Sequence, residues 1–80
     1  MNIKEGNHST IYLVKDLARA TGHSVYTVEH YLKKGLLQEF GRGPHTNYRY
    51  FNEHMVERLK AIRKFRTEGK SLEEIRRLLV

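Results

Sequence analysis

Eighty residues without a cysteine make one small domain, near the lower limit at which a single core holds unaided, and exclude disulfides and thiolate metal sites. No apolar run approaches the roughly 20 residues needed to span a bilayer, and residues 1–10 lack the apolar stretch of a signal peptide, so a cytoplasmic location and no membrane partner are expected. The formal charge of +6 and pI near 9.8 favour an acidic partner. The charge is uneven: residues 1–40 hold five Lys/Arg against four Asp/Glu, and residues 41–80 hold ten against five. Spread over a loop and two later helices, with Tyr and Phe interleaved, the excess suits a phosphate backbone better than a localisation tag. A basic solvated helix face has the same composition.

In chain order, residues 1–10 are polar and unpatterned and read as a flexible leader, leaving 11–80 as the domain. Ile11-Tyr12-Leu13-Val14 is a short β-prone run that needs a partner strand. Lys15 to Ala20 reads as a brief helix, with Val14, Leu17 and Ala18 at helical spacing, and Thr21-Gly22-His23 interrupts it. Ser24 then caps a second helix that closes near Gly35. Val25, Val28 and Leu32 share the face expected to be buried, while Tyr26, Thr27, His30 and Lys33 point elsewhere. Two short helices joined by a turn of about three residues containing Gly form a helix-turn-helix pattern.

Gly41-Arg42-Gly43-Pro44 breaks the helical period and predicts a turn between two β-compatible flanks, Leu36–Phe40 and Tyr48–Phe51. A hairpin is marginal alone, so residues 11–13 are expected to add a third strand. Asn52 caps the longest helix, about Glu53 to Glu68, whose stripe is Met55, Leu59, Ile62 and Phe65 with Val56 beside it. Gly69 ends that helix, and Ser71 with Glu74 forms a capping box for the last one, which carries Leu72, Ile75, Leu78 and Leu79. The apolar ending Leu78-Leu79-Val80 fits either a chain that continues or packing on another chain. The predicted fold is mainly α with a small β-hairpin: four helices and a two- to three-stranded antiparallel sheet.

In this order the motifs resemble the mercury-resistance regulator (MerR) family of transcription factors. Val14-Lys15-Asp16-Leu17-Ala18 with Thr21-Gly22 is similar to the family's first helix and turn, and Ser24–Val28 with Tyr31–Leu37 to its recognition helix. Thr46-Asn47-Tyr48-Arg49-Tyr50-Phe51 is similar to its wing strand, and Gly69–Ile75 to the turn and helix that close the DNA-binding domain. The resemblance spans about Ile11 to Leu79. It implies a winged helix-turn-helix that binds double-stranded DNA as a homodimer or head-to-tail oligomer in the nucleoid, in many members remodelling promoter DNA for RNA polymerase. Glu29 and His30 stand where the family usually has Arg and Tyr. Glu29 either repels phosphate, accepts from a cytosine amino group, or pairs with a nearby Lys or Arg. The long coiled-coil helix and effector domain that normally follow are not in this sequence, so a DNA-binding domain alone, cut from a longer protein or free-standing, is expected.

Candidate DNA-binding residues follow, each beside its plain structural role. Arg49 reaches phosphate bidentately, or pairs with Glu53 or Glu57. Tyr48 offers its hydroxyl to phosphate or packs in the hairpin, and Arg42 at the wing tip enters the minor groove or is merely solvated. Tyr26, Thr27 and His30 face bases, Lys33 faces backbone, and Thr27 alternatively stabilises its own helix end. Ser24 caps its helix and can bond phosphate, and Lys15 is a further backbone candidate. His8, His23, His30, His45 and His54 have no metal-ligand spacing, no nucleophile–base pair stands out, and no cofactor is expected. An architectural DNA-binding role of the excisionase or partition kind, and a protein-interaction module docking through residues 78–80, are the competing readings.

Overall fold

The computed structural model describes residues 10–79, and the leader expected over 1–10 lies, but for Thr10, outside them. The elements are α1 (Val14–Thr21), α2 (Val25–Lys33), β1 (Gly41–Arg42), β2 (Arg49–Tyr50), α3 (Glu53–Thr67) and α4 (Leu72–Leu78). Helix α1 packs against both α2 and α3, and α4 packs against α3.

Each helix starts where the side chains can satisfy its exposed amides. The Asp16 carboxylate accepts from the Leu13 N–H at 2.9 Å, Ser24 Oγ accepts from Thr27 N–H at 3.0 Å, and Asn52 Oδ1 accepts from His54 N–H at 3.1 Å. At α4 the capping box closes in both directions, Ser71 N–H to Glu74 at 2.8 Å and Glu74 N–H to Ser71 Oγ at 3.1 Å. The bond from Ser71 holds the Glu74 carboxyl below the usual range.

The core is one cluster: Leu17 and Ala18 of α1, Val28 and Tyr31 of α2, Leu36 and Leu37, Phe51, then Val56, Leu59, Ile62 and Ile75. Two expected faces are rotated. On α2 the buried pair is Val28 and Tyr31, whereas Val25 in the first turn stays 46% exposed. Tyr31 joins the core and makes an edge-on contact with the His23 ring, centroids 5.9 Å apart. On α3, Val56 joins Leu59 and Ile62 at the centre, while Met55 and Phe65 flank it half-buried. Met55 is turned toward the preceding loop, where its sulfur accepts from Gln38 N–H at 3.5 Å.

The hairpin differs from the expected one in position. Gly41 pairs with Tyr50 and Arg42 with Arg49, so Gly41-Arg42 is strand and the loop runs from Gly43 to Tyr48. Leu36 and Leu37 are both buried, which removes them from the wing, because consecutive strand residues face opposite sides and only one could reach the core. Gly43 is closely packed: a Cβ there would lie 2.6 Å from Thr46 Oγ1 and 2.9 Å from Tyr50 Oη, so those two side chains would have to shift to admit one. Asn47 turns the loop at φ 63°, a left-handed conformation that Asn tolerates. The third strand is reduced to a single bridge, Tyr12 with Phe51, closed by two 2.8 Å bonds. Beside it the Tyr12 hydroxyl donates to Glu53 at 2.6 Å, tying the edge to the start of α3.

Several arginines are tied to the protein's own backbone at the surface. Arg63 donates to Gly22 O at 2.7 Å, Arg66 to Lys70 O at 3.0 Å, Arg58 to Leu36 O and Leu79 O, and Arg76 to Lys34 O. These carbonyls lie at or beyond helix ends, where no intrahelical donor is available. Four of the ten cations of residues 41–80 thus also serve as guanidinium clamps, while keeping their charge.

The helix-turn-helix corner is sensitive to protonation. Thr21 Oγ1 has one proton and donates it to Leu17 O at 2.7 Å, so its 2.7 Å contact with His23 Nδ1 is a bond donated by the ring. Burial, and then the charge of Arg63, push the His23 pKa down. A depressed folded-state value means that the unfolded chain binds the proton first. Stability is thus fully present above an ordinary histidine value of about 6.5 and is lost as pH falls from there through the folded value. Melting temperature should fall more steeply between about pH 7.5 and 5.5 for the native chain than for His23→Gln, a comparison that cancels the carboxylates common to both. For the core, Phe51→Ala should cost about 3–5 kcal/mol in chemical denaturation. Set against the roughly 4–12 kcal/mol expected for a domain of this length, that loss leaves a much-weakened fold.

Candidate nucleic-acid interface

Two surfaces meet beside α2. The first is the outer face of α2 itself. Tyr26 is 79% exposed and its ring stacks on that of His30, one turn on, with centroids 6.4 Å apart and planes inclined by 9°. An i, i+4 pair on a helix surface is spaced for such contact. Thr27 beside them is half-buried, its hydroxyl accepting from Ser24 Oγ at 3.0 Å, and so supports its own helix start. Lys33 ends this face, exposed and with no hydrogen bond or ion pair among the described residues. The face therefore offers a hydroxyl, an imidazole, a phenol and a free ammonium, all clear of the core.

The second surface is a furrow between the wing and the first two helices. One stretch is lined by Lys15, Val25, Glu29, Arg42, Tyr48 and Arg49 together with Leu13, Val14 and Asn47, and the other by Lys33, Glu29, Leu32, Glu39, Arg42 and Arg49 among others. Glu29, Arg42 and Arg49 belong to both. Lys15 is exposed and has no polar partner among the described residues, and Tyr48 is 61% exposed. The candidates thus fall into two groups: Lys15, Lys33, Arg42, Tyr48 and Arg49 share the furrow, and Ser24, Tyr26, Thr27 and His30 stand outside it.

Strand register explains the charges in the furrow. Arg42 and Arg49 are paired directly across the hairpin, and like charges so placed repel. Glu39 bridges them. Its carboxylate accepts from Arg42 Nε at 2.6 Å and Nη2 at 3.0 Å, and lies 3.3 Å from Arg49 Nε. Glu29 holds the far side of Arg49, accepting from Nη1 at 3.2 Å. The chain Glu29–Arg49–Glu39–Arg42 is formally neutral. The bidentate bond from Arg42, aided by the charge of Arg49, holds the Glu39 carboxyl below the usual range and keeps it ionised, and the Arg42 pKa is raised in turn by Glu39.

Several expectations change in consequence. Arg42 sits in the hairpin stem, not at the wing tip, which is formed by Pro44-His45-Thr46. Arg49 pairs with Glu29 and Glu39, not with Glu53 or Glu57. Of the three readings of Glu29, the ion pair with a nearby cation is the one observed. Glu39 went unremarked in the sequence, although an acid three residues before Arg42 was the available signal. Among the described residues no group of three or more His, Asp or Glu is placed to hold a metal ion, and no helix is long and apolar enough to cross a membrane.

Comparison with known proteins places this arrangement. The model of the MerR HTH family of regulatory proteins matches residues 12–80. Among solved structures the chain is similar to HiNmlR, a MerR family regulator lacking the sensor domain and bound to promoter DNA, at 30% identity and a TM-score of 0.77 over 86% of this chain and 52% of that one. It also has the fold of a MerR family transcriptional regulator from Bacillus cereus, at 23% identity and a TM-score of 0.80 over 88% of this chain and 52% of that one. The chain thus spans about half the length of each of these proteins. No curated relative matches it. With four helices and a two-stranded antiparallel wing among the described residues, and the family model matched over residues 12–80, the chain belongs to the MerR HTH family of regulatory proteins.

Proposed function

We propose that the chain binds double-stranded DNA sequence-specifically as a transcriptional regulator, with α2 in the major groove and the wing on the flanking backbone. The observation that carries this reading is the division of labour around α2. Its outer face presents Tyr26, Thr27 and His30 clear of the core, while the adjoining furrow gathers the cations. Base edges in the major groove are read by hydrogen-bonding and apolar groups on an inserted helix, and phosphates are met by Lys, Arg, Tyr and Ser around it. On this reading Tyr26, Thr27 and His30 read sequence, and Ser24, Lys15, Lys33, Tyr48, Arg42 and Arg49 hold the backbone. Ser24 is suited to phosphate because it opens α2, where the helix dipole is positive. HiNmlR, captured on promoter DNA, supports the same use of the fold here. The protein acts at the nucleoid, as a homodimer or head-to-tail oligomer on DNA and beside RNA polymerase at the promoter. Its chemistry is binding, not catalysis.

Duplexes enriched from a random pool by the protein itself provide the test, compared with unselected duplexes by fluorescence anisotropy. Tyr26→Ala and His30→Ala should lower affinity for the enriched sequence at least about fivefold and leave random duplex little changed, as loss of base readout does. Lys33→Ala and Arg49→Ala should weaken both alike, and Lys33→Ala, which removes a cation with no internal partner, should reduce the salt slope by about one. Equal loss on enriched and random DNA for all four variants would contradict the assignment of α2 as reader.

A further inference from the structure

The neutral chain in the furrow is unexpected for a surface that meets phosphate. Arg42 and Arg49 contribute two positive charges to the wing, and Glu29 and Glu39 cancel both. The carboxylates come from different elements: Glu29 from α2, and Glu39 from the segment before β1. The network therefore also ties the wing to α2, through Arg49. All four side chains remain partly open to solvent, from 33% to 44% exposed, so a phosphate can reach them. A DNA phosphate is chemically the same kind of partner as these carboxylates, an anion that accepts from a guanidinium fork.

We propose that Glu29 and Glu39 are built-in competitors of DNA: they latch Arg49 and Arg42, and backbone phosphate must displace them before the wing can bind. The inference rests on the DNA-binding reading above. In the free protein the latch holds the two guanidiniums in place and prevents their mutual repulsion across the hairpin. On DNA the carboxylates give up the arginines, so each guanidinium gained by phosphate is one lost by an acid. The wing's contribution to affinity is the difference between the two. Affinity and its salt dependence are consequently lower than the count of wing cations implies.

The test is the affinity of Glu39→Gln for unselected duplex DNA across a salt series. The substitution keeps an amide oxygen as acceptor for Arg42 and removes the charge. Freeing one guanidinium should steepen the slope of log affinity against log salt by about 0.9, and so tighten binding about tenfold at about 50 mM salt, with the gain vanishing near 1 M. Glu73→Gln, which breaks a comparable surface pair with Arg77 on α4, should change affinity less than about twofold. In an Arg42→Gln/Arg49→Gln background, Glu39→Gln should have little effect, because its competitor role has no arginines left to act on. Unchanged or weaker binding by Glu39→Gln, at an unaltered melting temperature, overturns the proposal. So does tightening that persists in the arginine-free background, which would mean simple repulsion between Glu39 and DNA. If the native chain binds no duplex even at about 50 mM salt, the DNA-binding reading itself fails and the competitor role falls with it.

Discussion

The packing of α1 against two helices at once sets the geometry of everything else. Leu17 and Ala18, both buried, form its inner face, and on either side lie α2 with Val28 and Tyr31 and α3 with Leu59 and Ile62. A small residue at Ala18 lets backbones approach, and a close-packed interior holds the angle between them. Because α2 is fixed by α1, and α1 by α3, the outer face of α2 is presented at one orientation. The turn between α1 and α2 is locked from outside as well: Arg63 of α3 donates to Gly22 O, while Thr21 and His23 bond each other within the corner. A domain this small has little hydrophobic area to give away, and the guanidinium clamps supplement its core.

Those clamps change the meaning of the protein's charge. A formal +6 reads at first as a coating for nucleic acid. In the folded chain Arg58, Arg63, Arg66 and Arg76 serve backbone carbonyls, and Arg42 and Arg49 serve carboxylates. Lys15 and Lys33 are the candidate cations without an internal partner among the described residues. They flank the furrow on the side of α1 and at the end of α2. Lysine suits this position, since its mobile point charge needs no oriented partner, whereas a planar guanidinium is better used where a fork of donors can be matched.

Most of the fold was legible because the residues that punctuate it act locally. Ser24, Asn52 and Ser71 cap helices, and Gly22 and Gly69 end them with positive φ, so element type and order follow from short windows. What was misplaced depends on distant parts of the chain. Leu36 and Leu37 look like a strand flank until the core claims both, which moves the wing turn from residues 41–44 to the loop after Arg42. Val25 fits the buried stripe by spacing, but it lies along the furrow, where no core faces it. In the site the same rule holds. The exposed face of α2 could be read from helical period alone. The role of Glu39 needed the strand register, since only the pairing of Arg42 with Arg49 creates the repulsion that a carboxylate relieves.

One edge of the molecule, made of the outer face of α2 and the wing, is the surface proposed to meet DNA. Amide and side-chain chemical-shift mapping on addition of a short duplex tests it most directly. Shifts concentrated on Ser24, Tyr26, Thr27, His30 and Lys33, on Lys15, and on the wing from Arg42 to Arg49 are predicted, with α4 and the outer side of α3 quiet. Shifts centred on α4 and the exposed basic residues of α3, with α2 and the wing unmoved, would contradict the account.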